Sequence, residues 1–286
     1  MRCPLIVAAV AILACTAALV ASQAPSWAAD ALLHPWRSEV VGPVPRGCEE
    51  TAFPGIGLTL RGWSCRTSST PPRATVIYLH GIADTRTSAR GIIERLLPRG
   101  FNVVAYDSRA HGASDGVACT YGFYEKADLK RVIDAMGSDR VVLIGVSLGA
   151  AVALQEAAGD PRVSAVVAAD TFSDLRTVAR ERAPWLLPDE SIRSAFALAE
   201  QRGHFRVDDV SPVAAAAQIA APVLLLHGAA DRETTSDHSR RVFEALRSAK
   251  RLVLVEGARH SQSLRGDVWT TVDRWLDDVL DSPKHL

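Results

Sequence analysis

The sequence has no excess of charge of either sign. Its 286 residues include 32 Lys or Arg and 32 Asp or Glu, so the formal net charge is zero. Proteins that bind nucleic acid or an anionic membrane surface through their electrostatic field need an excess of basic residues. The balance argues against nucleic acid and a membrane as partners of the mature protein, and we expect a small-molecule substrate.

Cofactor and metal motifs are also missing. The chain contains neither Gly-x-Gly-x-x-Gly nor a Walker sequence, which argues against dinucleotides and nucleoside triphosphates. No group of His, Cys and acidic residues has the spacing of metal ligands. We therefore expect an activity that needs neither a cofactor nor a metal. Hydrophobic residues make up 48% and charged residues 22%, which is typical of a globular chain with a sizeable core.

The N-terminus has the features of a secretory signal. Arg2 precedes an uncharged apolar run, Pro4 to Ala21, and small residues follow at the −3 and −1 positions of a cleavage site. The pattern predicts cleavage after Ala28 and export to the periplasm or the extracellular space, leaving residues 29–286 as one domain. Two alternatives stay open: the run could remain as a membrane anchor, or Cys15 could carry a lipid.

Only three cysteines follow this segment, and two of them are spaced to pair. A hairpin centred between Ile56 and Gly57 would bring Cys48 opposite Cys65, close enough for a disulfide. The alternative is two ordinary buried thiols. Cys119 is then the odd cysteine, and nothing beside it indicates a catalytic thiolate.

Strand and helix patterns alternate after Pro72. The predicted strands are Thr75–Leu79, Val103–Tyr106, Val141–Gly145, Val163–Ala169, Val223–Leu226 and Leu252–Val255. The predicted helices are Ala89–Leu97, Tyr124–Met136, Leu148–Ala158, Ser239–Leu246 and Val268–Leu280. Short, continuously apolar strands separated by helices predict an α/β fold with a doubly wound, mostly parallel sheet, preceded by the N-terminal hairpin.

The alternation is interrupted between about residues 171 and 212. This stretch has no strand pattern, and Pro184, Pro188 and Gly203 break two helical segments. An insertion between parallel strands would lie over their carboxyl ends, where ligands bind. We interpret the stretch as a small helical cap; an ordinary pair of connecting helices is the alternative.

The sequence Gly145-Val146-Ser147-Leu148-Gly149 lies between a predicted strand and a predicted helix. It has the Gly-x-Ser-x-Gly pattern of a nucleophile elbow, in which a tight strand-to-helix turn exposes the serine hydroxyl. The two glycines are required because side chains there would collide with neighbouring backbone. The helix N-terminus adds positive potential next to a developing oxyanion.

A serine nucleophile needs a base and a carboxylate that orients the base. His260 follows the last predicted strand and is the best candidate for the base. Asp231 follows the preceding strand and completes the order Ser, Asp, His. Asp170 and Asp237 are competing carboxylates.

These motifs resemble those of the α/β-hydrolase superfamily. Residues 74–280 are most similar to its compact serine hydrolases, which are related to prolyl oligopeptidase-type catalytic domains. The supporting residues are Tyr78–Ile82, Tyr106–Ser114, the Ser147 elbow, Pro222–Asp231 and His260. The resemblance implies an oxyanion hole made by the backbone N–H groups of Ile82 and Leu148.

Two positions depart from the usual motifs of that superfamily. Val146 replaces the histidine of Gly-His-Ser, and Ala110 replaces a glycine of Asp-Arg-Gly-His-Gly. Neither position is one of the three catalytic candidates. In the second motif, we expect Asp107 and His111 to form a hydrogen-bonded brace rather than a second catalytic pair.

Together the motifs predict a secreted serine hydrolase that cleaves ester-type acyl bonds through an acyl-enzyme. Ser147 would attack, His260 would transfer the proton and Asp231 would hold the imidazole. A peptidase acting on short peptides and a non-catalytic binding protein with a hydrolase-like fold are the alternatives. Nothing in the sequence indicates the oligomeric state or the acyl preference.

Overall fold

An eight-stranded sheet runs through the centre of the protein, whose computed structural model describes residues 22–281. The strands are β1 (Cys48–Pro54), β2 (Thr59–Cys65), β3 (Thr75–Leu79), β4 (Asn102–Tyr106), β5 (Val141–Val146), β6 (Val163–Ala169), β7 (Val223–Gly228) and β8 (Lys250–Val255). Their spatial order is β1-β2-β4-β3-β5-β6-β7-β8. The first two strands pair antiparallel with their neighbours, and β3 to β8 are parallel.

Helices cover both faces of the sheet. They are α1 (22–33), α2 (Arg90–Leu96), α3 (Glu125–Met136), α4 (Leu148–Ala157), α5 (Leu175–Arg182), α6 (Asp189–Gly203), α7 (Pro212–Ala216), α8 (Ser236–Ala245) and α9 (Val268–Asp281). Neighbouring residues of β3 point to opposite sides. Ile77 joins a core cluster with Leu129 of α3, whereas Val76 joins one with Ile93 of α2 and Val272 of α9. The doubly wound α/β fold predicted from the alternation is confirmed.

The predicted strands and helices agree with the structure to within a few residues at each end. The bounds of β3 and β6 are those predicted, and α8 begins three residues earlier than expected. The sequence patterns missed the short helix α7, because its Pro-Val-Ala-Ala-Ala segment is too short to show a helical period. Its Ser211 hydroxyl caps the first turn by accepting from the Ala214 N–H at 3.2 Å.

The segment between β6 and α7 contains the two helices of the predicted cap. Asp174 begins α5, where its carboxylate accepts a hydrogen bond from the Thr177 N–H at 2.8 Å. This helix ends before Pro184, which cannot donate the next backbone hydrogen bond. The second helix begins after Pro188 and ends at Gly203. Pro184, Pro188 and Gly203 therefore lie at helix ends, as the sequence predicted.

Helix α1 packs against the cap. Ala29 and Leu33 are 1% exposed and belong to the same apolar cluster as Phe196 of α6. Arg202 of α6 donates to the Asp30 carboxylate at 2.7 Å. The core contacts of this helix therefore come from residues that follow Ala28.

The predicted signal falls only partly on this helix. The apolar run and Cys15 lie outside the described residues, and cleavage after Ala28 stays a prediction. Among residues 22–281, no helix combines the length and the apolar character needed to span a bilayer.

The disulfide between Cys48 and Cys65 is formed. These residues are directly opposite each other in the β1–β2 hairpin, whose register is centred between Ile56 and Gly57. Cys119 is a buried free thiol, and burial raises its pKa, which keeps it protonated and unreactive. The pairing and the odd cysteine are therefore as the sequence predicted.

Replacing both Cys48 and Cys65 by serine should lower the free energy of unfolding by about 3 kcal/mol, because the bridge closes a short loop of the unfolded chain. The loop spans a sequence separation of 17. Urea unfolding measures the change, and the chain without the bridge should keep its native circular dichroism spectrum. A wild-type peptide map that yields free Cys48 without reduction would contradict the pairing.

Glu156 on α4 is a carboxyl group in a buried position, with 8% of its surface exposed. Burial, followed by the nearby Asp160 carboxylate, raises its pKa to about 8. Below pH 4.5 both the folded and the unfolded chain carry this proton. Between that pH and about 8 the unfolded chain ionises first, so folding becomes less favourable as the pH rises.

We therefore expect Glu156→Gln to raise the free energy of unfolding at mildly alkaline pH by about 2–4 kcal/mol more than it does at acidic pH. Thermal unfolding of both proteins at pH values on either side of this window measures the difference. Glu244→Gln, at an exposed position on α8, serves as the control and should change the pH dependence of the unfolding temperature little. An equal stability gain at acidic pH would contradict the ionisation argument.

Candidate active site

Ser147 occupies the junction between β5 and α4. Its backbone has φ 52° and ψ −112°, a conformation that a tight turn imposes on this residue. A Cβ atom on Gly145 would lie 2.5 Å from the Ala150 nitrogen, and one on Gly149 would lie 2.7 Å from the His80 oxygen. Only glycine fits at these two positions, so the backbone can turn sharply enough to present the serine.

The imidazole of His260 lies beside this serine. The Ser147 hydroxyl donates to His260 Nε2 at 2.9 Å, and His260 Nδ1–H donates to Asp231 Oδ2 at 2.6 Å. His260 follows β8 and Asp231 follows β7, both at the carboxyl ends of parallel strands. The structure thus brings together the three residues that are 84 and 29 positions apart in the sequence.

The second oxygen of Asp231 is held by its own loop. Asp231 Oδ1 accepts hydrogen bonds from the N–H groups of Glu233 at 2.9 Å and Thr234 at 3.0 Å. Burial opposes ionisation of this group, but hydrogen bonds from His227, His260 and Thr234 outweigh it and hold the pKa of Asp231 well below its usual value. The carboxylate is therefore charged throughout the neutral range.

His227 supports Asp231 from the β7 strand. Its Nε2–H donates to the Thr234 carbonyl at 2.8 Å and lies 3.4 Å from Asp231 Oδ2, while Nδ1 pairs with the Ser239 hydroxyl at 2.7 Å. Burial lowers the pKa of His227, yet its partners, Asp231 first, leave it raised overall. Sequence reasoning could not identify this contact, because only the turn after β7 brings the two side chains together.

The competing carboxylates have other partners. Asp170 is fully buried at the end of β6, where Oδ1 accepts from the Gly228 N–H at 2.9 Å and Oδ2 from the Ser263 hydroxyl at 2.8 Å. It therefore links the loops that follow β6, β7 and β8. Asp237 is exposed at the start of α8, 3.8 Å from Arg240.

Asp170, His227 and Asp231 also form the one acidic and histidine cluster, among the described residues, that is tight enough for a metal ion. One ligand atom from each lies within 4.8 Å of the others. These atoms are already hydrogen-bonded partners of Gly228, Ser263, Thr234 and His260. We therefore interpret the cluster as the support of the Asp231 carboxylate.

The candidate oxyanion hole lies where β3 ends. His80 Nδ1–H donates to the Gly81 carbonyl at 2.7 Å, while His80 Nε2 accepts from the Ser108 N–H at 2.9 Å. Because C=O and N–H of a trans peptide point in opposite directions, the Ile82 N–H points away from this carbonyl. Within the described chain, neither Ile82 N–H nor Leu148 N–H has a hydrogen-bond acceptor. Both donors are thus available to an oxyanion.

The expected hydrogen bond between Asp107 and His111 is not formed. Asp107 instead accepts from the Arg86 backbone N–H at 2.7 Å and pairs with its guanidinium at 2.5 Å. His111 Nδ1–H donates to the Arg109 carbonyl at 2.8 Å, and its ring packs edge-on against His80. Burial lowers the pKa of His111 to about 4, so the ring is neutral at pH 7. Asp107 Oδ2 also accepts from the Ala113 N–H at 2.9 Å, so Asp107 braces the loop through Ala113 and Arg86 rather than through His111.

Arg182 brings a positive charge from the cap to this site. Its guanidinium Nη2 lies 3.4 Å from His260 Nε2, at the last residue of α5. It also borders a cavity of about 520 Å³ between the cap and α1. Cleavage after Ala28 would remove Ala24, Trp27 and Ala28 from the wall of this cavity. Sequence reasoning missed Arg182, since nothing distinguishes it from the other arginines of the cap.

Comparison with known proteins agrees with this geometry. A family profile described as alpha/beta hydrolase fold matches residues 74–197. The uncharacterized protein YqkD of Bacillus subtilis is 32% identical over 250 residues, covering 82% of this chain and 81% of YqkD.

Two solved structures share the fold. The Pyrococcus furiosus esterase Pf2001 is 24% identical, with a TM-score of 0.65 over 86% of this chain and 97% of the esterase. The acylaminoacyl peptidase of Pyrococcus horikoshii is 16% identical, with a TM-score of 0.65 over 84% of this chain and 42% of the peptidase. The parallel sheet, the serine turn and a relative of this identity over most of both chains establish that the chain belongs to the α/β-hydrolase superfamily.

Proposed function

We propose that the protein is a serine hydrolase that cleaves carboxylic esters through an acyl-enzyme. The observation that carries the proposal is the continuous hydrogen-bond chain from the Ser147 hydroxyl through His260 to Asp231. A nucleophile, a base and an orienting carboxylate at these distances are the geometry of acyl transfer. The charged state of Asp231 favours the His260 tautomer with its proton on Nδ1, which leaves Nε2 free to accept from serine.

In the first half-reaction, Ser147 Oγ bonds to the ester carbonyl carbon while its proton moves to His260 Nε2. The negative charge that develops on the carbonyl oxygen is accepted by the N–H groups of Leu148 and Ile82, at the positive end of α4. The bond to the leaving oxygen then breaks, and His260 returns the proton to it. Water repeats these steps on the acyl-enzyme and releases the acid.

The comparisons support an ester substrate more directly than a peptide. Pf2001, named an esterase, is matched over nearly its whole length. The acylaminoacyl peptidase is matched over less than half of its chain, so most of that protein has no counterpart in this alignment. A panel of short acyl esters beside aminoacyl naphthylamides separates the two activities, and faster amide turnover would favour the peptidase.

Export is part of the same proposal. The formed disulfide supports an oxidising compartment, the periplasm or the extracellular space. N-terminal sequencing of the exported protein tests the processing site, and Ala29 is the expected first residue.

Replacing Ser147 by alanine should lower kcat/KM for p-nitrophenyl acetate by at least about 10³-fold, because no other group can form the acyl-enzyme. The variant should also lose covalent labelling by a fluorophosphonate. Ser164→Ala, at a half-buried position in β6, should keep both properties. Labelling that persists in Ser147→Ala would assign the nucleophile to another residue.

Replacing Asp231 by asparagine should lower kcat/KM by about 10²–10⁴-fold, since the amide would hold the wrong His260 tautomer. Asp237→Asn, at an exposed position, should leave kcat/KM unchanged. Asp170→Asn should mainly reduce thermal stability, because its carboxylate links three loops. Full activity in Asp231→Asn together with loss in Asp170→Asn would reverse the assignment of the acid.

A further inference from the structure

Arg182 differs from the other arginines of the cap. Each of the others has a carboxylate partner: Arg176 with Asp208, Arg180 with Asp189, Arg193 with Glu190, Arg202 with Asp30 and Arg206 with Asp209. Within residues 22–281, no carboxylate oxygen lies within 4.0 Å of the Arg182 guanidinium. The cap therefore brings one uncompensated positive charge to the active site.

Neutral groups fix the position of this guanidinium. Arg182 Nε–H donates to the Glu233 carbonyl at 3.1 Å, and Nη2–H donates to the Thr234 hydroxyl at 2.5 Å. The same turn holds Asp231 through the N–H groups of Glu233 and Thr234. Nη1 has no acceptor among the residues that the structure describes, so its two N–H groups are available to a ligand.

The contact with His260 determines which part of a substrate would meet Arg182. His260 Nε2 is the atom that returns the proton to the leaving oxygen, and Arg182 Nη2 lies 3.4 Å from it. A guanidinium in this place therefore faces the leaving group. Since each hydrogen bond spans about 2.8–3.0 Å, the group it binds must lie only a few covalent bonds from the ester oxygen.

The neighbouring cavity is suited to an apolar body. Of the residues in 22–281 that line it, Arg182 alone is charged; the others include Tyr121, Val178, Leu187 and Phe196. A ligand that reaches from the Ser147–His260 pair into this space would present hydrophobic surface to the walls and a single negative charge to Arg182.

We propose that Arg182 recognises a carboxylate on the leaving group, so that the preferred substrates are esters of apolar hydroxy acids. This inference rests on the proposed esterase function. A carboxylate can accept charge-assisted hydrogen bonds from the free Nη1–H groups of the guanidinium. It also supplies a counter-charge beside the His260 imidazolium that forms during acyl transfer and would otherwise face the positive guanidinium.

The test uses three acetate esters whose leaving phenol is neutral, anionic or cationic: phenyl acetate, meta-carboxyphenyl acetate and meta-(trimethylammonio)phenyl acetate. Acetate release is followed with a pH-stat for the wild type, Arg182→Gln and Arg182→Lys. Arg180→Gln is the matched control, because it removes an equally exposed arginine from the same helix.

The wild type should hydrolyse the carboxylate ester with kcat/KM about tenfold or more above that of phenyl acetate, and the cationic ester least well. In Arg182→Gln the ratio of kcat/KM for the carboxylate ester to that for phenyl acetate should fall to about one, whatever the rate that the two esters share. Arg182→Lys should keep part of the preference, and Arg180→Gln should keep all of it.

Three results would overturn the inference. An equal loss on all three esters in Arg182→Gln would mean that the arginine only anchors the cap. A preference that survives in Arg182→Gln would place recognition elsewhere. The third result concerns p-nitrophenyl hemisuccinate, which carries a carboxylate on its acyl group, and p-nitrophenyl butyrate, which does not. An Arg182-dependent preference for the hemisuccinate, with none among the acetate esters, would mean that Arg182 binds the acyl group. Absence of phenyl acetate turnover in the wild type would count against the proposed function itself.

Discussion

The turn between β5 and α4 is the constraint around which the site is arranged. Ser147 can adopt its left-handed backbone conformation only because Gly145 and Gly149 leave room for the neighbouring chain. That conformation directs the hydroxyl out of the sheet and leaves the first N–H of α4 without an internal partner. The proposed nucleophile and one proposed oxyanion donor therefore arise from the same turn, and neither can move without the other.

The positions of the remaining site residues depend on two carboxylates buried where strands β6 and β7 end. Asp231 is charged and orients His260, while Asp170 accepts hydrogen bonds from the loops after β7 and β8. Burying a carboxylate is costly unless each oxygen has donors, and both residues meet this condition. Their contacts therefore differ: Asp231 orients the His260 imidazole, and Asp170 holds in place the loop that carries His260.

The cap adds a property that the sheet does not supply. Its charges are nearly balanced, with seven Asp or Glu and six Arg. All these arginines but Arg182 are paired with carboxylates on the cap or on α1. The remaining guanidinium is held by the Asp231 turn, at the border of an apolar cavity. Charge counts cannot detect such a feature, because they do not show which single charge is left without a carboxylate partner.

The sequence by itself determined the mostly parallel sheet, the succession of strands and helices along the chain and the disulfide register. It also determined the identity of the Ser147, Asp231 and His260 candidates. These follow from local patterns: continuous apolar strands, two glycines around a serine, and polar residues placed just after strands. Tertiary structure alone decided the partners of Asp107, the support of Asp231 by His227, the packing of α1 on the cap and the place of Arg182. Except for the His227–Asp231 pair, which the turn after β7 brings together, those contacts join residues far apart in the chain. No local period or motif encodes which side chain fills a given hydrogen bond.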